Sequence, residues 1–472
     1  MKKPPSGVPG GRLRTSLLIL LIPGLSFKRW LAIGGLALFA TTIGIIFALK
    51  VSTAPAFISF LENVSLRGES AYIRGAVFIG IGVIGASIGM IGLLRSLRQV
   101  GQRTRHWNFL DSMYVERVLG SGPKITLIGG GSGMPSLLRG MKHYTSNITA
   151  IVTMADDGGS SGRLRDELGI QPPGDIRNCL VALADSEDVM QQLMDYRFSS
   201  NGQLDGHSFG NMLIAALAGI GGDFSRGVEV AGELLAIRGR VIPSTATDVT
   251  LVASTAGGET LIGESNIAMA TDRLRSLTLV PPDPKAHPVA VAAIREADLI
   301  VIGPGSLFTS IVPNLLIGQI SQALSESTAF KVYVCNVAEE PRQTEGFSVK
   351  DHLNIVRHYG GSRSVNAVIA NNNIPEGITP AGLNFIEAAK NWDEDVWLVE
   401  TDLIDDVMMA RHDSGKISWS IVQAYSKYRG RRRRFPRVHF NISLNRTAGK
   451  ESGSNSFAQV EPVPTDNLVG RP

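Results

Sequence analysis

The 472-residue chain has only two cysteines, Cys179 and Cys335, and both lie in apolar stretches. Two thiols so placed supply neither a disulfide framework nor a zinc-ligand set, and they fit a reducing compartment. The middle of the chain has no excess of basic charge. Its net +4 comes from Lys and Arg in the first 30 residues, around 95–105, and at Arg431, Arg432, Arg433 and Arg434. No aromatic stacking platform accompanies that arginine run, so nucleic acid is not an expected partner. Two nucleotide fingerprints are missing as well. The turn at 129–133 is not GxGxxG, because Met134 occupies the last position, and no Lys-Ser/Thr follows to make it a P-loop. No redox cofactor is expected.

What the chain does have is two long runs without charge, at 30–49 and 75–94, closed by Lys50, Arg74 and Arg95. Each run is about 20 residues, the length a helix needs to cross a bilayer core. Small residues in both (Gly34, Gly35, Gly80, Gly82, Gly85 and Gly89) would let the two helices pack closely as a hairpin. Lys2, Lys3, Arg12, Arg14, Lys28 and Arg29 precede the first run, and Arg95, Arg98, Arg103 and Arg105 follow the second. The positive-inside rule then places both termini and the main domain in the cytoplasm, anchored to the inner membrane by two passes. The competing readings are a cleaved signal peptide, for which a small-residue cleavage site is missing, and buried core helices, which the flanking arginines disfavour.

Domain boundaries follow: a basic N-terminus over 1–29, a transmembrane hairpin over 30–95, a folded domain over 106–440 and a polar disordered tail over 441–472. Within the folded domain, short Ile/Val-rich runs at 125–128, 148–154, 299–302, 332–336, 367–370 and 396–399 read as strands buried on both faces. Helical patterns at 137–143, 211–218 and 315–324 lie between them. The expected fold is α/β, a Rossmann-like doubly wound and mainly parallel sheet preceded by a two-helix transmembrane hairpin.

Candidate site residues fall where strands end. Gly129, Gly130, Gly131, Ser132 and Gly133 turn a strand into a helix, with backbone N–H groups available to a phosphate. About 20 residues on, where dinucleotide folds place a ribose-binding acid, a strand delivers Asp156 and Asp157. Two adjacent carboxylates suit a ribose or Mg²⁺ equally, and capping of the next helix by Asp157 is the plainer alternative. Ser160, Ser161 and Arg163, with Arg165, add donors. Asp175, Arg177 and Asn178 follow Pro172-Pro173-Gly174, where Asp175 could equally be a helix cap. His207 stands in a loop just before Asn211 and is more simply structural than catalytic. Gly303, Gly305, Ser306 and Thr309 form a second strand–glycine–helix junction. Two such junctions and an acidic pair suit a ligand carrying a diphosphate and a ribose.

Together IGGGSG, ADDGGSSGRLR, PPGDIRNCLVALAD, GHSFGN and GPGSLFTSI…PNLL, between about residues 123 and 412, resemble the YvcK-type gluconeogenesis factor family of the CofD-like superfamily. The resemblance implies a regulator that binds a UDP-sugar (UDP-GlcNAc or UDP-glucose) and supports cell shape and envelope synthesis on gluconeogenic carbon. Envelope-synthesis proteins and a second copy of the chain are implied as possible partners. The superfamily's 2-phospho-L-lactate transferases, which use a nucleotide diphosphate donor, a deazaflavin and Mg²⁺, give the alternative. One departure lies at 338–340, where the family pattern favours Met-Thr-Gln and this chain has Ala-Glu-Glu. The C-terminal arginines suggest contact with anionic lipid.

Overall fold

The computed structural model describes residues 27–49, 70–101, 118–199, 202, 204–374, 383–386, 392 and 395–430. The N-terminal charges, the loop at 51–69, the arginine run at 431–434 and the polar tail lie outside the described residues. The chain divides into two units, Met1–Gly120 and Ser121–Pro472.

In the first unit two helices, Phe27–Leu49 and Ala71–Gly101, pack against each other. Small residues make the contact. A methyl group at Gly82 would stand 2.9 Å from the Ala37 carbonyl, and one at Gly44 would stand 2.9 Å from that of Gly75. Leu36, Phe39, Ile81 and Ile84 are exposed on the helix surfaces. Among the described residues only Gly75–Gly92, with mean hydropathy 2.0, is long and apolar enough to cross a membrane; the first helix is apolar over the shorter Ile33–Ile46. The expected pair of helices is present, and among the described residues one of them is long and apolar enough to cross a membrane.

The second unit is built on a parallel seven-stranded sheet. Its strands are β1 (Ile125–Gly129), β2 (Ile148–Val152), β3 (Arg240–Pro243), β7 (Leu299–Ile302), β8 (Phe330–Val334), β9 (Ala367–Asn371) and β10 (Trp397–Thr401). Their spatial order is β10-β9-β8-β7-β1-β2-β3. β1, β2, β7, β8 and β9 are buried along their whole length, as runs of Ile, Val and Ala covered on both faces must be. All six strands expected from sequence are found. The fourth starts two residues earlier, because Phe330 and Lys331 also pair, with Leu299 and Ile300. β3 was not anticipated, since four residues ending in a proline carry little strand signal.

A second sheet, antiparallel and ordered β5-β4-β6, comprises β4 (Thr250–Thr255), β5 (Thr260–Ile262) and β6 (Leu274–Val280). β4 alternates half-buried and buried residues, the mark of a sheet packed on one face only. The helical pattern at 315–324 is broken: the helical segment Leu307–Leu315 and the helix Gly318–Glu326 are bent by 78° relative to each other.

Candidate functional site

Strand order reverses between β1 and β7, which are neighbours in the sheet but leave it toward opposite sides. Ligands of doubly wound folds bind in the crevice that such a reversal opens at the carboxyl ends of the strands. Both glycine junctions border it and approach closely: a methyl group on Gly133 would stand 2.6 Å from Pro304 O.

The first junction is shaped by close approach. A methyl group on Gly130 would stand 2.5 Å from Thr153 Cγ2 and 2.7 Å from Asp175 Oδ2. Gly131 takes φ +62°, a left-handed conformation open to glycine at no steric cost, and its N–H donates to Asp175 Oδ2 at 2.6 Å. Asp175 thus occupies the amide expected to face a phosphate. It is not a helix N-cap; Pro173 stands at that position, ahead of the helix Gly174–Leu183. Ser132 precedes the helix Gly133–Met141 and makes no side-chain cap.

Three carboxyl groups influence one another on one side of the crevice. Burial pushes Asp175 up to about 6, helped by the Asp156 charge and opposed by the Gly131 amide. Burial also raises Asp156, although the Gly158 amide and Ser161 hydroxyl pull it back. Glu264, in the first turn of the short helix Glu264–Ala268, is pushed up to about 7 by burial and then by Asp156, while the Thr309 hydroxyl opposes the shift. Asp157 points elsewhere. Its Oδ1 accepts from Ser265 N at 2.9 Å and Ser265 Oγ at 2.7 Å. It caps a helix far along the chain rather than the one that follows it.

Ser160, His207 and Asn211 belong to a buried polar network. Ser160 Oγ lies 3.0 Å from His207 Nδ1, and Asn211 Nδ2 donates to Ser160 Oγ at 3.1 Å. Burial lowers the His207 pKa, so the ring is neutral within this network. Arg177 donates to Ser208 Oγ at 2.6 Å, Asn211 Oδ1 at 3.3 Å and Asn178 Oδ1 at 2.8 Å. Ser161 Oγ accepts from Gly174 N at 3.1 Å. Two expected phosphate ligands face away: Arg163 donates to Asp205 O, and Arg165 pairs with Asp248 and donates to Thr250 Oγ1.

Beside Ser132 opens a cleft of about 460 Å³, lined by Ser132, Arg139, Arg177, Asn178, Arg197 and Arg411 among others. Arg139 pairs with Glu187, and Arg177 Nη2 lies 3.3 Å from Asp195 Oδ1. Arg411 is exposed and has no ion-pair partner among the described residues. Arg177 is 8% exposed, and its Nε is buried without a hydrogen-bond partner. Burial lowers its pKa. A buried guanidinium with an unfilled donor is costly unless an anion completes it.

At the second junction Gly305 N donates to Asn336 Oδ1 at 3.3 Å, and Asn336 Nδ2 returns a bond to Gly305 O at 3.0 Å. Ser306 Oγ accepts from Thr309 N and donates to Gln343 Oε1. Glu264, Arg139, Arg197 and Arg411 were not foreseen as site residues, because chain folding alone brings them here. Among the described residues no three side chains of His, Cys, Asp or Glu form a metal-holding group.

The family described as 2-phospho-L-lactate transferase CofD matches residues 125–408. A putative gluconeogenesis factor of Nostoc sp. is 43% identical over 365 residues, covering 75% of this chain and 79% of that protein. The gluconeogenesis factor of Bacillus subtilis is 44% identical over 261 residues, covering 55% of this chain and 82% of that one. A crystal structure of a UPF0052 family member from Bacillus halodurans superposes with a TM-score of 0.60 at 39% identity, over 64% of this chain and 99% of that one. A parallel sheet reversing at two glycine junctions, together with these likenesses, shows that the chain belongs to the CofD domain family and, within it, to the gluconeogenesis factors.

Proposed function

We propose that this chain is a UDP-sugar-binding regulatory factor held at the inner membrane, serving cell shape and envelope synthesis during gluconeogenic growth. The observation that carries the reading is the arginine cleft beside the 129–133 loop, with the buried and incompletely bonded Arg177 at its wall. A diphosphate pairs with the guanidinium groups of Arg139, Arg177, Arg197 and Arg411 that line the cleft, through charge-assisted hydrogen bonds. Carboxyl groups such as Asp156 and Asp175 suit the hydroxyls of a ribose or a sugar. Mg²⁺ fits only as a companion of the ligand. It would rest on Asp156 with phosphate oxygens and water completing its shell, since among the described residues side chains alone do not surround a metal. The apolar helix Gly75–Gly92, packed on its neighbour, supports membrane attachment.

The test is calorimetric titration of the detergent-solubilised chain with UDP-GlcNAc and UDP-glucose, with and without Mg²⁺. Saturable binding without turnover supports the reading, and no heat with either sugar nucleotide overturns it. Membership of the 2-phospho-L-lactate transferase CofD family favours a second reading, phospholactate transfer from a nucleotide-activated donor, for which a deazaflavin is the proposed acceptor. That reading requires turnover with such a donor.

A further inference from the structure

Among the described residues one acid lines the arginine cleft, Asp195, and its Oδ1 lies 3.3 Å from Arg177 Nη2. The side chains that accept hydrogen bonds from Arg177, those of Ser208, Asn211 and Asn178, are neutral, so Asp195 is its ion-pair partner. Other cations of the cleft are met differently. Arg139 pairs with Glu187, a carboxylate it shares with Lys142, and Arg197 donates to Gly206 O at 2.7 Å. Asp195 is the last residue of the helix Glu187–Asp195, where the negative end of the helix disfavours a carboxylate. Its side chain is 46% exposed, against 10% for Arg177, and an ion pair open to water on one side adds little stability. The segment is nevertheless fixed: Tyr196 N donates to Leu193 O at 3.3 Å, and Phe209 N donates to Tyr196 O at 2.7 Å. The fold thus holds a solvent-reaching negative charge among the arginines at a place where its own helix does not favour one.

We infer that Asp195 is a specificity-determining residue that selects, by charge, a diphosphate esterified at both ends over pyrophosphate or a diphosphate with one free end. The inference rests on the reading of this cleft as a phosphate site. Each ester removes one ionisable oxygen, so pyrophosphate, a nucleoside diphosphate and a sugar nucleotide carry successively less negative charge. Arginines alone favour the most highly charged of the three. A carboxylate among them repels that anion most, because the repulsion grows with the charge brought near it. Asp195 also holds Arg177 while the cleft is empty, and a ligand must compete with it for that guanidinium.

The experiment is calorimetric titration of the full chain in detergent with pyrophosphate, UDP and UDP-glucose, comparing wild type with Asp195→Asn. Asparagine keeps the shape and an acceptor for Arg177 and removes only the charge. Asp195→Ser is a second neutral variant should the first not fold, and melting temperatures report which case applies. The expected result is a gain of roughly tenfold in affinity for pyrophosphate, a smaller gain for UDP and the smallest for UDP-glucose. These gains should shrink at high salt, as the effect of a half-exposed charge must. Equal gains for the three ligands, or no gain for pyrophosphate in a folded variant, overturns the inference. A lower melting temperature with the order of affinities unmoved assigns Asp195 a structural role and overturns it equally. If UDP-glucose binds wild type but the gains are equal, only the role of Asp195 fails. If UDP-glucose binds neither form while pyrophosphate gains more than UDP, only the sugar-nucleotide reading fails.

Discussion

The two sides of the crevice are built from opposite charge and tolerate it in different ways. On one side Arg139 and Arg177 each have a carboxylate partner, while Arg411 reaches solvent. On the other side burial raises the pKa of Asp156, Asp175 and Glu264, the Asp156 charge adds to the rise of the other two, and hydroxyls and amides are their main relief. The arginine side keeps a cation without an ion-pair partner, Arg411, and Asp156, Asp175 and Glu264 have no ion pair among the described residues. That polarity suits a ligand that is anionic at one end and rich in hydroxyls at the other.

Breaking the arginine side should have the largest effect. Arg177→Ala removes both the cleft cation and the bonds to Ser208, Asn211 and Asn178. Loss of a buried, hydrogen-bonded charge costs about 2–5 kcal/mol, so UDP-sugar affinity should fall by about 30-fold or more, with a lower melting temperature. Arg411→Ala separates the two roles. Its exposed side chain supports no other element, so affinity should fall roughly tenfold at an unchanged melting temperature, as loss of one charge-assisted bond implies. Calorimetry and thermal melts on both variants check this.

The acidic side sharpens the comparison through pH. Glu264 moves from an ordinary 4.5 to about 7 in the fold, so the folded state binds the proton more tightly than the unfolded chain. Its contribution to stability is therefore complete below about 4.5 and is lost as pH rises to about 7. Glu264→Gln should melt higher than wild type at pH 8 and show no such advantage at pH 4; the reverse order would contradict the geometry of this cluster. The smallest effect is expected at Asp157. Asp157→Ala removes the cap on Ser265 and should cost about 1 kcal/mol of stability while leaving UDP-sugar affinity within about twofold.

The same contrast explains what could be read from the sequence. The parallel core was legible because β1, β2, β7 and β9 are short runs dominated by Ile, Val, Leu and Ala, and the glycine junctions because they follow β1 and β7 directly. The small antiparallel sheet was not, since β5 has three residues and β4 carries Thr and Ser on its outer positions. The acidic side was half visible: Asp156 and Asp175 sit in motifs, whereas Glu264 follows a three-residue strand that gives no local signal. Of the arginine cleft, Ser132, Arg177 and Asn178 came from motifs, but Arg139, Arg197 and Arg411 are joined only by tertiary packing. Asp157 and Arg163 looked like ligand groups beside the glycines; the structure turns them to Ser265 and Asp205.

On this reading the arginine cleft holds the phosphates of a sugar nucleotide. Its most direct test is titration of UDP-GlcNAc into wild type and Arg411→Ala side by side. Saturable binding by wild type and roughly tenfold weaker binding by the variant at equal melting temperature are expected. Equal affinity in the two proteins, or no binding by wild type, would contradict it.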